Sequence, residues 1–281
     1  AASVAWISAV VFSLILMVPA IWIRERSEYQ RRRPSKPFQA IKDVYQNHHA
    51  RLLLFVFFIE HHGFAVMGII SPYMALYVLK RPDLIGLLPT LFVLPSILSV
   101  PLWVWFSRRF GKRNTWLFSM VAIACAYGPM IFVQEGSEVL LGVLLVLAGL
   151  AAGCGGPIGQ SLLVDIMDYD QYTTGERKEG AYSAALGFVT KLANVLVALL
   201  VGVALQVAGF EPNVEQTDTV KLTIRTLQAL LPFTMFTIGF ILFRNFSLDE
   251  KTYMEIRAEL DQRDKQREER RTEDGGNASL K

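Results

Sequence analysis

The sequence holds only two cysteines, Cys125 and Cys154, and both fall inside apolar stretches. They read as small buried residues, which argues against a disulfide framework or a thiolate metal site. Its four histidines come as two adjacent pairs, His48-His49 and His61-His62. Neighbours in sequence point apart on a helix, and neither pair has metal-ligand spacing. No nucleophile–base pair, metal motif or phosphate-cradling loop appears, so neither an enzyme nor a bound cofactor is expected. No nucleic-acid partner is expected either.

Charge is scarce as well: 19% of the 281 residues are charged, against 52% hydrophobic, and the net charge is only +3. Its distribution says more than its sum. Seven apolar stretches are of membrane-spanning length, at residues 1–23, 52–79, 84–106, 115–133, 139–163, 181–207 and 222–243. The fold class expected is therefore an all-α integral membrane protein with seven transmembrane helices. Several spans contain Pro or Gly, which membrane helices tolerate where neighbours satisfy the freed backbone groups. Gly149, Gly153, Gly155 and Gly156 would let helices approach closely.

Basic residues set the orientation. Arg24, Arg26 and Arg31 to Arg33 follow the first span, Arg108, Arg109, Lys112 and Arg113 the third, and Arg177 and Lys178 the fifth. These alternate loops share one side, read as cytoplasmic, with the C-terminus there and the N-terminus outside. Lys80-Arg81 is a minor exception in a very short opposite loop. Pro34 and Pro37 break the first basic loop, after which Phe38, Ile41, Val44 and Tyr45 recur at helical spacing. That pattern suits a short helix on the membrane surface, or an ordinary linker. Residues 249–271 suit a solvated helix with pairs such as Glu259–Arg263. The chain starts on Ala1, with apolar sequence at once, and reads as beginning partway through a longer protein.

Two charges lie deep in the spans. Lys191 stands roughly 16 Å along its helix from Gly180, near the middle of a hydrocarbon core about 30 Å thick. Gly187 and Asn194 share its helical face. Glu60 lies roughly 14 Å past Arg51, at a matching depth. Such charges are costly in a bilayer and are functional-site candidates by default, a structural ion pair being the bland alternative. Glu60 reads as a proton or cation site, or as the partner of Lys191. His61 and His62 flank it, but three successive residues sweep too much of the helix to face one cavity.

Three stretches resemble one family. VDIMDYDQYTTGERKEGAYSAALGFVTK, residues 164–191, is similar to the signature of glycoside–pentoside–hexuronide:cation symporters, the melibiose-permease-like members of the major facilitator superfamily. Its matching positions are Asp165, Asp168, Tyr169, Thr174, Gly175, Arg177, Glu179 and Lys191. SRRFGKRNTW, residues 107–116, resembles the superfamily's basic loop, with Ser107 where the fuller motif often has an acidic residue. YMALYVLKRPDL, residues 73–84, resembles the end of the family's seventh span.

The resemblance implies that the chain holds spans six to twelve of a twelve-span fold. Residues 1–23 would be the last span of the N-terminal bundle, 24–50 a cytoplasmic linker, 51–246 the C-terminal six-helix bundle and 247–281 a charged cytoplasmic tail. The missing N-terminal half would be a partner, beside membrane lipid and a small-molecule substrate. The implied function is secondary active transport: cation-coupled symport of a sugar, glycoside or sugar acid by alternating access, in the plasma membrane, that of a bacterium for preference. Na⁺ or H⁺ would be the coupling ion. Animal members carry lysolipids, so a lysolipid or other amphiphile is the alternative substrate. By the same resemblance Lys191 would stand beside the coupling ion, and Asn194 could bond a sugar hydroxyl. Asp165, Asp168, Arg177 and Glu179 would form a gate, pairing across the two halves in one conformation only. The rival from another class is a seven-helix receptor or retinal protein, which shares the topology. Against it, Lys191 falls in the sixth span, whereas retinal proteins use the seventh.

Overall fold

The computed structural model describes residues 13–14, 17–18, 42, 44–176, 178–246, 253–260 and 262. The chain forms two units, Ala1–Pro37 and Phe38–Lys281. Of the first, only residues 13–14 and 17–18 are described, all helical. The expected span at 1–23 and most of the linker at 24–50 therefore lie outside the described residues. Phe38 and Ile41 of the expected surface helix lie outside them too. Residues 44–46 are helical, with Val44 buried and Tyr45 exposed.

Every regular element described in the second unit is helical. Helix α1, His48–Tyr73, starts where the Asn47 side chain accepts from the backbone N–H groups of His49 and Ala50, at 3.0 and 3.2 Å. That capping satisfies two donors the helix itself cannot. Pro72 removes a donor near the other end, and the chain relaxes into a π-helical turn, Met74–Val78. A short turn at Pro82–Leu84 leads to α2, Leu87–Phe110. Gly111 then turns the chain with φ 79°, a conformation glycine adopts at no steric cost, into α3, Lys112–Tyr127.

The next span departs from the expected single helix at residues 139–163. It is two helices, α4 at Glu138–Ala152 and α5 at Gly155–Thr174, broken at Gly153-Cys154. The break falls at a close contact with α2. A Cβ on Gly153 would lie 2.1 Å from the Ser99 hydroxyl oxygen and 2.2 Å from the Ser96 carbonyl oxygen of α2. One on Gly149 would strike the Phe92 carbonyl at 2.2 Å. Small residues thus let α4 lie directly on the α2 backbone. Gly156, by contrast, faces open space.

Helix α5 continues to Thr174, so the acidic residues expected in a loop belong to its last turns, and the turn is shortened to Gly175–Lys178. Helices α6, Glu179–Val207, and α7, Asp218–Phe243, complete the bundle. Six helical stretches of the described residues are long and apolar enough to cross a membrane, α4 and α5 together making one of them.

Helix α1 is central and packs mainly on α6 and α7; α2 packs on α4, and α3 on α4 and α7. Its core is aromatic and aliphatic: Phe57, Trp116, Tyr127, Phe236 and Phe243 are almost wholly buried. Large apolar side chains such as Ile97, Leu98, Phe118 and Leu199 are more than half exposed, the surface expected of a bundle solvated by lipid. Cys125 lies on that exposed surface of α3, which corrects the expectation that both cysteines are buried; Cys154 is buried.

Candidate functional site

Helix α6 buries one narrow stripe, Ala193, Val197, Val201 and Leu205, with four-residue spacing. Lys191 and Asn194 lie off that stripe and are exposed. Lys191 is twelve residues into a 29-residue helix, so it sits near mid-length. It has no hydrogen bond or ion pair with any described residue. A charge so placed costs about 2.5–3.5 kcal/mol against hydrocarbon, so a polar or aqueous surrounding is strongly favoured there.

Between α5 and α6 lies an open groove of about 610 Å³, whose wall includes Gly187, one turn before Lys191, but not Lys191 itself. Gln160 of α5 and Glu179, Ser183, Gly187 and Thr190 of α6 line it, among apolar neighbours such as Leu163 and Met167. Gln160, Ser183 and Thr190 were not singled out from the sequence. The signal was present for α6: Ser183, Gly187 and Thr190 recur at intervals of four and three, a polar and small stripe in an apolar helix.

Glu60 is elsewhere. It is 2% exposed and accepts a 3.2 Å hydrogen bond from the Trp116 indole of α3. A Cβ on Gly155 would meet its Oε1 at 2.0 Å, so the carboxyl presses against the head of α5. Thus Glu60 is not the partner of Lys191: it faces inward between α1, α3 and α5, whereas Lys191 faces outward from α6. His61 and His62 each donate from Nδ1 to the carbonyl one turn back, Phe57 and Phe58, at 2.8 Å. Both are satisfied locally. Among the described residues no cluster of His, Cys, Asp or Glu could hold a metal ion.

The charged residues at the end of α5 form a second assembly. Lys112 of α3 reaches Asp165 with both carboxylate oxygens in range, at 2.6 and 2.8 Å. Asp168, 1% exposed, accepts from Arg257 at 3.1 Å and from the Tyr253 hydroxyl at 3.3 Å. Asp170 pairs with Lys178 at 3.4 Å, both side chains almost fully buried. Of the expected gate, Asp165 and Asp168 are thus buried and paired within this bundle. Glu179 is exposed, and Arg177 lies outside the described residues.

The tail takes part in this assembly. Residues 253–260 are helical, and Ile256 and Leu260 are buried. That corrects the expectation of a merely solvated helix: two apolar side chains one turn apart dock it, and Arg257 and Tyr253 hold Asp168. Lys112 also lies 5.2 Å from the centre of the Tyr253 ring. Burial, and then the negative charges of Asp165 and Asp168, push the Tyr253 hydroxyl up to about 12, so it stays a neutral donor.

The opposite end is built differently. Lys80, in a left-handed conformation with φ 56°, reaches Glu135 and Glu215 at 3.0 Å each. Arg81 forks onto Asp83 at 2.8 and 2.9 Å. The two basic residues that stood against the charge rule are therefore neutralised by neighbouring acids.

Comparison with known proteins agrees with this architecture. A family model described as MFS/sugar transport protein matches residues 1–250. The uncharacterized symporter YnaJ of Bacillus subtilis is 24% identical over 243 residues, covering 86% of this chain and 52% of that protein. The glucuronide carrier protein homolog of Escherichia coli is 29% identical over 170 residues, 60% of this chain and 37% of its own. The sodium-dependent lysophosphatidylcholine symporter 1-A of Danio rerio is 26% identical over 174 residues, 61% and 32%. The chain spans about half or less of the length of these relatives. With a matching family model over most of its length, six membrane-capable helices and the Asp-x-x-Asp hairpin leading to Lys191, the chain belongs to the MFS/sugar transport family, the melibiose-permease-like transporters of the major facilitator superfamily.

Proposed function

We propose that this chain supplies the C-terminal bundle, and the span before it, of a secondary active transporter. The transporter would carry out cation-coupled symport of a sugar, glycoside or sugar acid by alternating access. The observation that carries the reading is Lys191, exposed at mid-length of α6 one turn past Gly187, which lines an open groove with Gln160, Ser183 and Thr190 on its walls. An ammonium beside amide and hydroxyl groups suits a polyhydroxylated solute, and suits an acidic one better still. Asn194 extends the same exposed side of α6. The coupling ion, Na⁺ or H⁺, would bind close to this face, together with residues of an N-terminal bundle. Glu60 lies outside the groove lining, joining α1, α3 and α5.

In this reading the basic end faces the cytoplasm, and the C-terminus lies there, in a plasma membrane. Asp165 and Asp168 exchange their partners in this bundle for cations of the other half as the transporter closes. A lysolipid is the second substrate reading, and one feature favours it. Phe188, Val195 and Leu199, on the same exposed side of α6, would accept an acyl chain.

The test is uptake by the full-length protein in proteoliposomes, with Na⁺ or proton gradients and labelled glucuronide, galactoside or lysophosphatidylcholine. Replacing Lys191 by Gln should lower uptake at least about tenfold if its charge acts in the transport step. Unchanged uptake of every solute by Lys191→Gln would remove the site assignment. Uptake of only the lysolipid would select the second substrate reading.

A further inference from the structure

We propose that the basic end carries a binding site for one anionic phospholipid, its headgroup between α2, α3 and the tail helix and one acyl chain along the neighbouring aromatic groove. The site is separate from the groove between α5 and α6, and it stands whatever solute the transporter carries.

Two adjoining hollows make the site. The first is a cavity of about 400 Å³. Its walls bring together three cations, Arg109, Lys112 and Arg113, against one carboxylate, Asp165. Both carboxylate oxygens of Asp165 already accept from Lys112. Positive charge therefore remains in excess after the internal pair has formed. Arg113 hydrogen-bonds the Arg244 carbonyl through one terminal nitrogen, yet its Nε is buried with no partner. A buried guanidinium N–H without an acceptor is costly; Nε is out of reach of the cavity as placed, and a turn of the Arg113 side chain toward the cavity would let a phosphate oxygen satisfy it.

A second hollow of about 280 Å³ shares Phe110 and Asn114 with the first and is otherwise lined by Phe106, Thr115 and Phe118. Its aromatic wall is open: Phe110 is 51% exposed and Phe118 61%. Cationic and apolar hollows side by side match a ligand with a charged head and a hydrocarbon tail. A free phosphate would fill the first and leave the second empty. The cationic cavity also lies at the level where Arg108 and Arg109 end the apolar run of α2, where headgroups lie if α2 spans the bilayer.

The protein in detergent, full-length and carrying this chain, is titrated with dioleoylphosphatidylglycerol, dioleoylphosphatidylcholine or inorganic phosphate, and bound species are counted by native mass spectrometry. The first bound phosphatidylglycerol should be held about tenfold more tightly than phosphatidylcholine, each basic side chain contributing a few-fold. Arg109→Gln with Arg113→Gln should abolish that preference, while Arg108→Gln, outside the cavity wall, should keep it. Because Arg113 also braces Arg244, the exposed Arg109→Gln is the second test, and alone it should weaken phosphatidylglycerol by about threefold. Phe118→Ser should weaken both lipids without changing their ratio. Equal retention of both lipids by the wild-type protein, or a preference that survives the double substitution, overturns the proposal. Displacement of phosphatidylglycerol by millimolar inorganic phosphate also overturns it, by showing an anion cavity with no lipid component.

Discussion

Both ends of the bundle are held by ion pairs, but they are buried to very different degrees. At the basic end the carboxylates of Asp165, Asp168 and Asp170 are at most 8% exposed, each against a cation of another segment. At the opposite end Lys80, Glu135 and Glu215 are between 43% and 73% exposed. The chemistry is the same and the physical consequence is not. A buried carboxylate deprived of its cation faces the full desolvation cost, whereas an exposed one returns to water. The basic end is therefore a place where changing partners has a large energy attached to it, which a gate needs. The opposite end only ties loops together.

The sharpest way to break this contrast is Lys178→Met. It takes the cation from the Asp170 pair, whose two side chains are 3% and 6% exposed. Loss of one partner of a buried pair costs about 3–5 kcal/mol, so a large fall in the thermal midpoint is expected by fluorescence-detected size exclusion. A midpoint within a degree or two of wild type would mean that the pair is wet in solution.

A middle-sized effect belongs to the tail. Arg257→Ala removes a charged hydrogen bond to Asp168, worth about 1.5–3 kcal/mol, and should release residues 253–260 to limited proteolysis while the bundle stays folded. The same docking depends on pH through Tyr253. Its hydroxyl is raised to about 12 from an ordinary value near 10, so docking should be intact below pH ~10 and lost as pH rises towards 12. Tyr253→Phe should remove that alkaline release.

The smallest effect is expected at the opposite end. Lys80→Ala should leave the midpoint unchanged, because Lys80 and the two carboxylates it pairs with are well exposed. Its influence should appear only in hydrogen exchange of residues 209–217. Glu215 is held below the usual carboxylate range by Lys80, and Lys80 is raised by Glu215 and Glu135. The added protection should therefore persist from mildly acidic to alkaline pH. It should fade on the acid side as pH falls through the depressed Glu215 value, and on the alkaline side as pH rises through the raised Lys80 value.

The same contrast marks what was legible in the sequence. The six described spans were visible because hydrocarbon demands long apolar runs, and Lys191 because it interrupts one. Asp165 and Asp168 were visible as a motif, but not their partners. Lys112, Tyr253 and Arg257 are 53, 85 and 89 residues away, and nothing in local periodicity encodes such a distance. Glu60 shows the opposite failure. Position along a helix does not say which way a side chain points, and Glu60 turns inward to Trp116. The break between α4 and α5 hid inside continuous hydropathy; its glycines read as packing residues, and Gly153 does pack on α2, but nothing in the pattern marked the interruption.

That break also has a mechanical side. Helix α5 is a rod of 20 residues, about 30 Å long, that begins just past the break at Gly153-Cys154, with Glu60 pressed against its base and Trp116 one turn further on. A swing of about 10° there would sweep its tip through about 5 Å, given that rod length. Lys112 and Asp165 are 2.6 Å apart, partway along the rod, and Asp168 and Asp170 lie nearer the tip. A bend small enough to be absorbed by two residues would thus be geared up to the scale on which ion pairs are made and broken, with the glycine joint as fulcrum and the acidic residues on the long arm.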